Sequence, residues 1–241
     1  MKALEKAIRG RKTLVFLDLE GTQSSAEMIE IGAYIVRLRN DGSIKKIDKG
    51  FKSYIKAHSK IGPIVTKLTG ITEGKLQKEG RDFLDVWNDF RKYISKYYKE
   101  CVFVAFGNND IRIINQTLLH NEGASRDLAS HISHNFFDLQ SFIFRYVKDP
   151  NGNPYSLVNY LKIFNVPFEG TAHDALSDAY NLIKLYGAIL NNRPILEEEY
   201  RKTLSRLSHM PPAISRLVKE LNEGKTVTPE DWNDSVKASL S

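Results

Sequence analysis

Asp18 and Glu20 stand two residues apart in Val15-Phe16-Leu17-Asp18-Leu19-Glu20-Gly21-Thr22. Asp110 follows Val102-Phe103-Val104-Ala105-Phe106-Gly107-Asn108-Asn109, and Asp178 sits in His173-Asp174-Ala175-Leu176-Ser177-Asp178-Ala179. Two of these three stretches end an apolar, β-rich run with a carboxylate. A buried strand gains nothing from a charge unless a cation or partner compensates it. Carboxylates converging at strand ends are the usual protein cage for a hard divalent cation such as Mg²⁺ or Mn²⁺. The chemistry implied is metal-assisted phosphodiester cleavage.

Two carboxylates at i and i+2 of an extended segment point to one face and repel. A bound divalent ion removes that conflict; a solvated strand end with two harmless acids is the bland alternative. His173 lies in the loop before the helix that carries Asp178. Imidazole is the natural general base near neutral pH. Asp174 is the competing acid, ranked lower because it falls on a different helical face from Asp178.

Elements must hold these groups in place. Thr13 to Leu17 reads as a strand buried on both faces, Glu30 to Leu38 as a second, and Ile44 to Tyr54 as a Lys-rich third nearer an edge. Asn40-Asp41-Gly42 supplies a hairpin turn. Val102 to Phe106 reads as a further strand. Helices are expected over Pro63–Leu68, Leu84–Tyr97, Ile111–Asn121, Asp138–Phe144, Ser156–Ile163 (Ser156 as N-cap) and Ala175–Leu190. Strands followed by alternating strand and helix indicate an α/β class, a mixed sheet flanked by helices. Pro194 marks a break, so residues 1–193 form one domain. Residues 194–241 form a small helical appendage, with Ile214, Leu217, Val218, Leu221 and Trp232 at helical spacing.

The chain has 241 residues, with 35 Lys and Arg against 29 Asp and Glu, a net charge of +6. That basic excess suits a polyanionic partner that an acidic site would otherwise repel. The single cysteine, Cys101, excludes an internal disulfide and reads as a core residue. The charged N-terminus reads as neither signal peptide nor anchor, and no segment approaches the roughly 20 apolar residues of a membrane helix. A cytoplasmic protein with no membrane partner is expected.

Taken in order, Asp18-Leu19-Glu20 with Thr22, Asp110 after strand and glycine, and His173 to Ala179 resemble the three motifs of the DEDDh 3′–5′ exonucleases. Glu27 to Ala33 resembles that family's second strand. Leu68-Thr69-Gly70-Ile71-Thr72 resembles its turn beside the terminal nucleotide. The resemblance covers about Thr13 to Leu190. It implies a ribonuclease-H-like fold with a five-stranded mixed sheet, and two divalent ions, Mg²⁺ or Mn²⁺. It makes Asp18, Glu20 and Asp178 metal ligands, with Asp110 completing the acidic cluster, often through water. It makes His173 the residue that deprotonates the attacking water. The ions then hold nucleophile and leaving oxygen in line. The expected substrate is single-stranded nucleic acid with a free 3′ end, the product a nucleoside 5′-monophosphate.

Gly107-Asn108-Asn109-Asp110 departs from the commonest second motif. It is more similar to the branch holding RNA-trimming exonucleases and sporulation-inhibitor-like proteins, which leans the substrate toward RNA or short oligonucleotides and leaves DNA open. Thr22 and Met28 are candidates to pack on the terminal base, with Gly70 beside it. Tyr155 and Phe168 are candidates to stack on bases, with core aromatics as the alternative. A catalytically weak binding module of the same fold, acting through protein partners, is the runner-up. The presence of all four carboxylates and His173 argues against it. A zinc enzyme would favour more Cys and His ligands.

Overall fold

The computed structural model describes residues 2–206 and 210–239. The order is α1 (Lys2–Ala7), β1 (Thr13–Gly21), β2 (Met28–Leu38), β3 (Ile44–Ile47), β4 (Phe51–Tyr54), α2 (Pro63–Thr69), α3 (Glu73–Glu79) and α4 (Phe83–Tyr93). Next come β5 (Cys101–Ala105), α5 (Asn109–His120), α6 (Arg126–His134), β6 (Phe136–Asp138), α7 (Leu139–Phe144) and α8 (Leu157–Ile163). The chain ends in α9 (Ala175–Asn191), α10 (Arg193–Ser205), α11 (Pro212–Asn222) and α12 (Pro229–Ala238).

The strands form one mixed sheet in the order β3-β2-β1-β5-β6, with β4 also on β2. β1, β2, β3 and β4 pair antiparallel; β5 joins β1 in parallel, and β6 joins β5 in parallel. The sheet has six strands where five were expected. The run read as one strand from Ile44 to Tyr54 is broken at Asp48-Lys49-Gly50, and both pieces pair with β2. A three-residue strand such as β6 is too short to show a period of two.

Side-chain alternation along β1 divides the core. Leu14 and Phe16 join Leu182, Ile183 and Tyr186 of α9 on one face. Val15, Leu17 and Leu19 join Phe83, Trp87 and Phe90 of α4 and Ile113 and Ile114 of α5 on the other. The aromatics of α4 are therefore core, as their spacing predicts. Each such side chain contributes about 1.5–3 kcal/mol by leaving water. Cys101 is buried too, and burial pushes its thiol up to about 12, which suits packing and not nucleophilic attack.

Several boundaries shift. The helix expected to Tyr97 ends at Tyr93 and passes into a single 3₁₀ turn at Ser95–Tyr97. Asp138 caps α7 instead of starting it, accepting from the Ser141 amide at 3.0 Å. Ser156 caps α8 as expected, accepting from the Asn159 amide. Leu196 of α10 reaches the main core, and Ser235 of α12 donates to the Ala213 carbonyl of α11 at 2.9 Å. The stretch expected to be an appendage includes Leu207, Ser208, His209, Leu240 and Ser241, which lie outside the described residues, as does Met1. Among the described residues no helix is long and apolar enough to cross a membrane.

Candidate active site

β1 is nine residues long and β5 only five. Their ladder runs from Thr13↔Cys101 to Phe16↔Val104 and stops. Beyond Phe16, β1 continues to Gly21 paired only with β2. Asp18 and Glu20 sit on this overhang. They continue the row Leu14-Phe16, so both face the side of the sheet that α9 covers. Asp18 lies opposite Gly32 of β2, and Glu20 lies opposite Glu30. Asp110 arrives from the other layer. It was expected just before a helix, but α5 starts at Asn109 and Asp110 lies buried in its first turn. Backbone amides, its own and that of Leu19, hydrogen-bond its carboxylate.

The third motif is held down by close packing. A Cβ on Gly32 would lie 2.2 Å from the carbonyl carbon of Ala175, so only glycine lets α9 begin against β2. Asp174 caps α9, accepting from the Ser177 amide at 2.9 Å. His173 has φ of 62°, in the left-handed region, and its amide donates to Asp178 Oδ2 at 2.8 Å. Its ring is half-exposed, with Nδ1 3.9 Å from Glu20 Oε1. Glu20, His173 and Asp178 each present one ligand atom within 4.8 Å of the others.

The cluster is electrostatically loaded. Burial, reinforced by Asp110, Asp178 and Glu20, holds the Asp18 carboxyl well above the usual range. Burial and then Asp178 push Glu20 up to about 8. Burial carries Asp110 to about 7 against its backbone hydrogen bonds, and Asp178 to about 6 against the His173 amide. Four acids that resist ionising beside one another form a site that gains from positive charge.

Sequence reasoning missed two members of this neighbourhood. Glu30 is almost fully buried, accepts from the Ala175 amide at 3.1 Å, and adds to the field on Asp18, Glu20 and Asp178. Lys52 of β4 lies 3.0 Å from Glu30 Oε1 and also pairs with Asp174. The available signal was a carboxylate inside the apolar run Met28–Leu38, directly opposite Glu20 once the strands are paired.

The substrate-contact candidates lie in varied settings. Thr22 is buried and accepts from the Glu27 amide at 3.0 Å, closing the turn after β1. Met28 is fully buried in the α4–α5 core layer, and its amide donates to Thr117 Oγ1. Tyr155 packs edge-on against Tyr160, 5.6 Å between centroids, and Phe168 packs on the same core layer. Gly70 ends α2 in a left-handed turn with open space where a side chain would begin.

The donor set fits hard divalent cations. It is built from carboxylate oxygens with one imidazole, and Cys101, the single thiol, is packed inside the core.

Overhanging first strand, flanking aspartates and loop histidine together form an acidic cluster on a mixed α/β sheet. The exonuclease family model matches residues 15–186, and the chain belongs to this family of hydrolytic exonucleases. Solved structures show the same fold at low identity. A 3′-exonuclease with 3′-end-specific recognition of the histone mRNA stem-loop is 14% identical, with TM-score 0.60 over 76% of this chain and 65% of its own. Cell-death related nuclease 4 is 20% identical, with TM-score 0.60 over 76% and 65%. E. coli Exonuclease I, in complex with a dT13 oligonucleotide, is 19% identical, with TM-score 0.57 over 81% and 44%. The chain thus spans under two thirds of these three. No curated protein matches the sequence.

Proposed function

We propose that the protein is a metal-dependent 3′–5′ exonuclease acting on single-stranded nucleic acid, RNA or short oligonucleotides ahead of DNA. The observation that supports this most is the convergence of Asp18, Glu20, Asp110, Asp178 and His173 around the overhang of β1. Asp18, Glu20 and Asp178 are the metal ligands in this reading, with Asp110 completing the cluster. Two divalent ions, Mg²⁺ or Mn²⁺, would supply the Lewis acidity that aligns attacking and leaving oxygens. His173, half-exposed beside Glu20, takes the proton from the attacking water. The water oxygen bonds to the phosphorus of the 3′-terminal nucleotide, and the bond from that phosphorus to the 3′-oxygen of the preceding nucleotide breaks. That oxygen takes up a proton as the new 3′-hydroxyl, and a nucleoside 5′-monophosphate leaves.

The net charge of +6 draws in the polyanion and should make binding fall with salt. The lean toward RNA rests on the Gly107-Asn108-Asn109-Asp110 form of the second motif. Residues 1–193 are proposed as the catalytic unit and 194–241 as a helical appendage.

The test uses matched 5′-labelled RNA and DNA oligomers with Mg²⁺ or Mn²⁺, followed over time. A ladder shortening from the 3′ end, faster on RNA, is expected. Equal rates on both would remove the RNA preference alone. Internal cuts, or shortening from the 5′ end, would defeat the reading.

A further inference from the structure

The geometry points to Lys52 as a positioning residue for His173, tying the segment that carries the histidine to the sheet through Glu30 and Asp174. This inference rests on the proposed role of His173 and adds a residue to it.

Lys52 lies on β4, opposite Gly32 of β2. Its ammonium meets two carboxylates from distant parts of the chain, Glu30 of β2 at 3.0 Å and Asp174, the residue directly after His173. Glu30 is almost fully buried, and its other oxygen takes the Ala175 amide. Asp174 uses its second oxygen to cap α9 through the Ser177 amide. Strand, cation and helix start therefore form a closed set of contacts around residues 174 and 175.

The set has a further job because of the backbone at His173. A non-glycine residue with φ of 62° is uncommon, and such a conformation persists only when its surroundings over-determine it. On one side His173 is fixed by its own amide on Asp178. On the other, Asp174 is fixed by Lys52. Without the Lys52 contact, residue 173 can relax and carry the imidazole away from Glu20. The proposed ligands Asp18, Glu20 and Asp178 hang from β1 and α9, and the ion pairs of Lys52 go to Glu30 and Asp174 instead, so metal binding should survive.

The test is a double-mutant cycle under steady-state conditions, with Mn²⁺ present and 5′-labelled RNA in excess over enzyme. Lys52→Met should lower kcat about tenfold in the wild-type background, with KM and the Mn²⁺-induced rise in melting temperature little changed. In a His173→Ala background it should lower kcat less than twofold, because the group it positions is gone. Lys52→Arg should restore most of the rate. Lys52→Met leaves Glu30 buried without its partner and can impair folding. The pair Glu30→Gln with Lys52→Met removes both charges and should show the same kcat loss in a folded protein. An equal loss in both backgrounds, or no loss in either, overturns the positioning role. If His173→Ala itself keeps the full rate, the proposed function of His173 fails first.

Discussion

The backbone amide of His173, not its ring, makes the 2.8 Å hydrogen bond to Asp178. The bond spends one oxygen of the aspartate on fixing the loop and leaves the imidazole free above Glu20. The proposed base and the proposed ligand are thereby placed by a single contact that leaves the imidazole and the second carboxylate oxygen uncommitted to it.

His173→Ala retains that amide, so the loop and Asp178 should stay in place. We expect the rate to fall by about 10²–10⁴-fold, the usual share of a general base. Mn²⁺ affinity by calorimetry should be nearly unchanged. A large loss of affinity would make His173 a ligand and not a base.

Asp18→Ala removes a carboxyl held well above its ordinary range by burial and by Asp110, Asp178 and Glu20. Turnover should drop by orders of magnitude while the metal-free protein melts no lower than wild type, since a source of repulsion is gone. Mg²⁺ should raise the wild-type melting temperature far more than the mutant's. Equal shifts would remove Asp18 from the ligand set.

Glu27 gives a pH signature away from the acidic cluster. Burial pushes its carboxyl up, but amides of His58 (2.7 Å) and Ser59 (2.9 Å) and the His58 ring outweigh this, and the net shift is downward. A lowered carboxyl stabilises fully above its unfolded value and loses that contribution as pH falls through its folded value. Glu27→Gln should therefore cost about 2 kcal/mol near neutrality. Urea unfolding at about pH 7 and about pH 3 should show the gap between wild type and mutant shrinking in acid. A gap that widens in acid would reverse the sign.

Gly32→Ala probes the seat of α9. The new methyl meets backbone at 2.2 Å, which no side-chain rotamer relieves. A destabilisation of about 1–3 kcal/mol or more is expected, together with a loss of activity larger than the stability loss explains. Near wild-type activity in a folded Gly32→Ala protein would show that the helix start can shift without harm.

Much of this site was legible because it obeys local rules. Asp18 and Glu20 share a face through strand alternation, and the β1–β2 register bears that out. The α4 aromatics followed a helical period into the core. What escaped depends on distance along the chain. Lys52 and Asp174 are 122 residues apart, and Glu30 and Ala175 are 145 apart, separations that no periodicity connects. Asp110 was placed just outside its helix because α5 opens at Asn109, two residues early, without a side-chain cap to announce it. The full burial of Met28 was not visible from its place in the sequence.

The shortness of β5 has an architectural meaning. Where its ladder with β1 ends at Phe16↔Val104, a longer strand would simply have continued the sheet across the space in which Asp18, Glu20 and Asp110 meet. The gap beside the acids is, in effect, a withheld stretch of β-structure, and Phe106-Gly107-Asn108 is the short connection into α5 that replaces it. Its width is thus set by where one strand stops, so residues inserted or removed between Ala105 and Asn109 would resize the gap without altering any of the four acids themselves.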